Sequence, residues 1–141
     1  MEFSIFIVDD EPLIVEGLLA TIGSLGLPVN VVGYAYSGEL ALEEIKQKRP
    51  QILLCDIRMR KMSGLELCRQ VYMLFPQIKT IFLSGYSDFS YVQTALKYQA
   101  ADYLLKPVQA AELSASLLRA MQAIEQQQKN KHTIVQLRNY L

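Results

Sequence analysis

Ile5-Phe6-Ile7-Val8-Asp9-Asp10 is an apolar run that stops abruptly at two carboxylates, and Ile52-Leu53-Leu54-Cys55-Asp56 repeats the pattern further along the chain. Neither run alternates with polar residues, so both read as strands covered on two faces. If the two strands are neighbours in a parallel sheet, their C-terminal ends open at one edge, which is where open α/β sheets hold ligands. Asp9, Asp10 and Asp56 would then converge in one crevice, and three such charges together call for a cation.

The rest of the chain continues the alternation. Strands are expected at about 4–8, 29–35, 51–55, 79–83 and 101–105, with amphipathic helices near 12–25, 38–48, 64–74 and 88–98 and a fifth from about 109. The first helix is expected to set Leu13, Val15, Leu18, Leu19 and Ile22 on one face. In the second, Leu40, Ala41 and Ile45 form an apolar stripe flanked by Glu43, Glu44 and Lys46. Gly26-Leu27-Pro28, Arg49-Pro50 and Phe75-Pro76 end the first three helices, and Ser63 and Ser87-Asp88 read as N-caps. Five βα units with short connections predict a doubly wound α/β domain, a parallel sheet with helices on both faces.

Composition narrows the function classes. The chain has 141 residues, enough for one domain with a real core, and its 14 Lys+Arg balance 14 Asp+Glu. A neutral balance does not advertise nucleic acid or a membrane surface, and neither a leader nor a membrane span is legible, so a cytoplasmic setting is expected. Cys55 lies in a strand run and Cys68 in a helical pattern, with no CxxC spacing, so both read as small buried hydrophobes. His132 lies in a polar stretch and reads as a surface residue.

The strand ends supply the chemistry. Asp9 and Asp10 follow the first strand, Asp56 the third, Ser84 ends the fourth, and Lys106 follows the fifth. Carboxylates suit a hard cation such as Mg2+, which takes one or two of them and fills its other positions with water and phosphate oxygens. A nucleophile, a metal, a hydroxyl and an ammonium are the parts that phosphoryl transfer requires. With the acidic pair on the ion, Asp56 is the natural acceptor, forming an aspartyl phosphate. Lys106 is then the phosphoryl clamp, and Ser84 the hydroxyl that reaches the new phosphate.

Four motifs in this order carry a family resemblance: Val8-Asp9-Asp10-Glu11-Pro12; Asp56-Ile57-Arg58-Met59 with Met62-Ser63-Gly64-Leu65; Leu83-Ser84-Gly85-Tyr86-Ser87-Asp88-Phe89; and Ala101-Asp102-Tyr103-Leu104-Leu105-Lys106-Pro107-Val108. Across residues 3–122 the chain resembles the receiver domains of two-component response regulators. Its wording is most similar to YesN-type regulators that carry an AraC-type DNA-binding output domain. The resemblance implies a flavodoxin-like fold, a five-stranded parallel sheet of order 2-1-3-4-5 with five helices. It implies that Asp10, Asp56 and the Arg58 backbone carbonyl ligate Mg2+ while Asp9 helps through water, and that the Lys106-Pro107 bond is cis. A sensor histidine kinase would be the phosphodonor. Ser84 and Tyr103 would form the switch pair that repacks the helix 4–strand 5–helix 5 face, a possible homodimer surface to which helix 4 would bring Phe89, Tyr91, Val92 and Tyr98. Residues 1–122 would be the receiver. DNA would be met only through an output domain outside these residues.

Two positions depart from the family pattern. Arg60 stands where Pro is usual, leaving the loop after Asp56 freer and more positive. Gln99 stands where a left-handed Gly usually ends helix 4, at a cost of roughly 1 kcal/mol if that geometry is kept. Arg58 and Tyr86 flank the site, where their bulk would screen the phosphate from water. Residues 123–141 join a polar helix-forming segment to Ile134, Val135, Leu137 and Leu141, and read either as an extension of helix 5 and linker or as a flexible tail. A vestigial receiver used only for interaction would have no physical reason to keep Asp9, Asp10, Asp56, Ser84 and Lys106 together. An enzyme of the same topology would need a phosphate cradle or an Asp-x-Asp nucleophile that the strand ends lack. The chain is expected to be no enzyme beyond its own phosphorylation and dephosphorylation.

Overall fold

The computed structural model describes residues 2–85, 89–97 and 99–140, with Phe89, Tyr91, Val92 and Tyr140 described by backbone alone. The expected cap at Ser87-Asp88, the flanking Tyr86 and the aromatic positions of helix 4 therefore lie outside what can be described. Strands β1 (Phe3–Val8), β2 (Val29–Ala35), β3 (Ile52–Asp56), β4 (Lys79–Ser84) and β5 (Asp102–Leu105) alternate with helices α1 (Pro12–Ser24), α2 (Gly38–Lys48), α3 (Gly64–Leu74), α4 (Phe89–Lys97) and α5 (Ala110–Tyr140). All pairings are parallel, in the order β2-β1-β3-β4-β5.

The period of two along each strand divides the core between the two faces of the sheet. Ile5, Ile7, Ile52, Leu54, Ile81 and Leu83 meet α1 and α5 through Val15, Leu18, Ile22, Leu113, Leu117 and Met121. Phe6, Val8, Leu53, Cys55 and Phe82 face the other way, against Ala41, Leu42, Ile45, Leu67, Cys68 and Val71 of α2 and α3. Each buried Leu, Ile or Phe contributes roughly 1.5–3 kcal/mol of transfer free energy. The unbroken apolar runs are needed because both sides are covered.

Local chemistry sets the helix starts. Ser37 and Ser63 accept hydrogen bonds from the backbone N–H groups of Leu40 and Glu66, capping α2 and α3. Pro12 starts α1, where its missing N–H is not needed. The apolar stripes differ from expectation at two positions. Leu13 is 79% exposed and Leu40 64%, because at about 100° per residue each is turned away from the buried positions of its helix, Val15, Leu18 and Ile22 in α1 and Ala41 and Ile45 in α2, and Leu42 takes the buried place in α2.

Gln99 keeps the left-handed geometry, with φ 57°. Its N–H donates to Leu96 O and that of Ala100 to Ala95 O, the paired bonds of a Schellman end. Helix α5 continues well beyond the core: among its residues 110–139 Ile124 is the last buried one, and residues 125–139 are all exposed. Among the described residues no helix is long and apolar enough to cross a membrane.

Candidate phosphoryl-transfer site

Strand register levels the acidic groups. Val8 pairs with Cys55, so Asp9 and Asp56 emerge side by side, and Ser84 pairs with Leu105, so Lys106 emerges one step beyond. Carboxylate oxygens of Asp9, Asp10 and Asp56 lie within 4.8 Å of one another. Asp9 is fully buried. Its Oδ1 accepts the Glu11 backbone N–H at 3.0 Å and its Oδ2 accepts Lys106 Nζ at 2.6 Å. Lys106 Nζ also lies 3.4 Å from Asp56 Oδ1, and the Lys106–Pro107 bond is cis.

These neighbours shift the protonation equilibria. Burial, followed by the charge of Asp9, raises the Asp56 carboxyl to about 6, with Lys106 pulling the other way. Burial works against the charge on Lys106, but its bonds and attraction to Asp9 and Asp56 outweigh that and raise its pKa. Cys55 and Cys68 are buried, and burial holds both thiols above their ordinary range. His132 is exposed on α5, with a ring nitrogen 3.0 Å from Gln136 Nε2.

The cluster opens into a cleft of about 870 Å³, lined by Asp10, Asp56, Gly85 and Lys106, by the cations Arg58, Arg60 and Lys61, and by Glu11, Tyr36, Ser37 and Glu39. Ser84 is buried at the end of β4, and its carbonyl accepts the Lys106 N–H at 2.7 Å. Tyr103 is half-buried, opposite Phe82 in the sheet and packed against the core on the α2–α4 side. Beside it Asp102 pairs with Arg119 of α5. Burial opposes the charge of Asp102, but hydrogen bonds led by Arg119 keep its carboxyl below the usual range.

Tyr36, Ser37 and Glu39 have no signature of their own in the sequence. The only signal that finds them is strand order: β2 lies beside β1, so the residues that follow it open at the same edge. The backbone around Asp56 is held closely by its neighbour in α3. A Cβ on Gly64 would lie 1.9 Å from the Asp56 carbonyl oxygen, so only glycine fits there.

Comparison with known proteins places this geometry. The family model described as response regulator receiver domain matches residues 5–118. The chain is 33% identical over 139 residues to the uncharacterized transcriptional regulatory protein YesN of Bacillus subtilis, covering 99% of this chain and 38% of that protein. It is 35% identical over 133 residues to the transcriptional regulatory protein HptR of Staphylococcus aureus, covering 94% of this chain and 52% of that protein. It thus spans from under two fifths to about half of these relatives' length. Among solved structures it resembles the REC domain of AraT, a response regulator from Geobacillus stearothermophilus, at TM-score 0.82 and 35% identity, covering 91% of this chain and 99% of that one. A two component transcriptional regulator AraC from Clostridium phytofermentans matches at TM-score 0.78 and 34% identity, covering 91% and 98%.

Proposed function

Because this chain belongs to the response regulator receiver domain family, we propose that Asp56 is its phosphoacceptor, taking a phosphoryl group from a phosphohistidine of a sensor histidine kinase. The observation that carries the reading is the meeting of three carboxylates with the Lys106 ammonium at one sheet edge. Hard oxygen donors so close together fit Mg2+. Asp10, Asp56 and the Arg58 backbone carbonyl would hold it. Asp9, both of whose oxygens already accept protein donors, would help through water. When bound, the ion supplies neutralisation of charge on the phosphoryl oxygens.

The chain's own residues do the remainder. The Asp56 carboxylate attacks phosphorus as the P–N bond to the donor histidine breaks and its electron pair leaves on the imidazole nitrogen, and Lys106 moves from its carboxylate partners toward the incoming oxygens. Ser84 turns its hydroxyl to the new phosphate and vacates space for Tyr103, which carries the change to the α4–β5–α5 face. That face would serve a homodimer, and a DNA-binding output domain would act in the longer protein, controlling transcription in the cytoplasm. The chemistry is limited to the domain's own phosphorylation and hydrolysis.

The test is mass spectrometry after incubation with Mg2+ and a small acyl phosphate. The parent gains the mass of one phosphoryl group and an Asp56→Asn variant does not; no gain in the parent, or a gain in the variant, refutes the reading.

A further inference from the structure

The loop between β3 and α3 is closed onto the start of α2. Glu39 Oε1 accepts the Met62 backbone N–H at 3.2 Å, and the Met62 side chain packs so tightly on Gly38 that a Cβ there would come within 2.9 Å of it. At its base Ile57 donates to Leu83 O and Gly64 to Ile57 O. Between these anchors Lys61 adopts φ 62°, a left-handed conformation that is unfavourable for a residue with a Cβ. The consequence is positional: Arg60 and Lys61, both exposed, become lining of the cleft above Asp56.

In-line phosphoryl transfer places the leaving group across phosphorus from the attacking oxygen. Asp56 and Lys106 occupy the floor, so the leaving group points outward to the rim, where Arg60 and Lys61 stand. We infer that Arg60 and Lys61, positioned by the Glu39–Met62 bond, form the leaving-group subsite for small phosphodonors and favour those whose leaving group departs as an anion. The inference rests on Asp56 being the phosphoacceptor. With an acyl phosphate the P–O bond breaks as the Asp56 O–P bond forms, and the electron pair leaves on a carboxylate, whose growing charge the rim cations stabilise. With phosphoramidate the pair leaves on ammonia, already protonated and neutral, which gains nothing from a cation.

The experiment compares rate constants for phosphorylation of the full chain by acetyl phosphate and by phosphoramidate, both with Mg2+. High ionic strength suppresses long-range steering. The variants are Arg60→Gln, Arg60→Gln with Lys61→Asn (Asn tolerates the left-handed position), Glu39→Ala and Glu39→Gln. The ratio of the acetyl phosphate rate to the phosphoramidate rate is expected to fall roughly fivefold or more in the double variant, as developing charge loses its stabilising partners. It should fall also in Glu39→Ala, and recover in Glu39→Gln, which keeps an oxygen acceptor for Met62. A ratio within twofold of the parent in both Arg60 variants, with both donors still reacting, overturns the inference while leaving Asp56 as acceptor. If the parent accepts a phosphoryl group from neither donor, the phosphoacceptor reading fails and takes the inference with it.

Discussion

Lys106 Nζ lies 2.6 Å from Asp9 Oδ2, nearer than the 3.4 Å that separates it from Asp56, so the lysine neutralises the fully buried carboxylate first. Removing one partner of a buried pair leaves the other charge uncompensated, which costs about 3–5 kcal/mol when both are deep inside. Lys106 retains some exposure, so Lys106→Met is expected to lower stability by roughly 2–3 kcal/mol in metal-free urea denaturation. A change below about 0.5 kcal/mol would show that Asp9 has another source of compensation.

Asp56 makes the opposite prediction. Its folded-state pKa of about 6 lies above the ordinary value of 3.8, so ionisation is disfavoured in the folded protein. Its contribution to stability is therefore greatest at low pH and is lost as pH rises from about 4 to about 6. Asp56→Asn removes that loss and is expected to stabilise the metal-free protein by on the order of 1–3 kcal/mol at pH 7. The two proteins should converge in stability near pH 4, and Mg2+ should raise the melting temperature of the parent more than that of the variant. Equal pH dependence in both proteins would refute this.

Gly64→Ala tests the close approach beneath the acceptor. The added methyl would meet Asp56 backbone at 1.9 Å, and backbone cannot swing aside as a side chain can. A loss of about 3 kcal/mol is expected from overpacking, together with slower phosphorylation as Asp56 shifts. Chemical denaturation and donor kinetics on one preparation measure both, and a variant as stable as the parent would contradict the packing.

At the end of α4 a gain is available. Gln99 holds φ 57° inside a complete Schellman pair, so Gln99→Gly should keep both hydrogen bonds and relieve the backbone, stabilising by about 0.5–1 kcal/mol. A shift of the denaturation midpoint to lower denaturant would mean that the side chain makes a compensating contact.

Strand positions were legible because continuous apolar runs meet a carboxylate or turn residue at each end, and the floor of the site was legible because those carboxylates are the ends. The rim was not. Tyr36, Ser37 and Glu39 join the cleft through the neighbouring of β2 and β1, a tertiary relation without a local pattern. Leu13 and Leu40 suit the apolar stripes by hydrophobicity yet are exposed, since the step of about 100° per residue turns both away from the buried positions of their helices. The register shift of β2 against β1 between Ile5 and Phe6, where Lys48 reaches the Val32 carbonyl, likewise has no residue pattern that announces it.

Helix α5 adds a mechanical consequence. Its buried turns are clamped to the sheet as far as Ile124, and the exposed remainder runs about 24 Å farther at the ordinary rise of an α-helix. A stiff rod held at one end multiplies angle into distance: a tilt of about 10° at the clamp carries the free end sideways by about 4 Å over that length. Should the proposed repacking beside Tyr103 tilt this clamp, a change too small to notice there would become a displacement of atomic dimensions at Arg138, and α5 would work as the long arm of a lever whose fulcrum is the core.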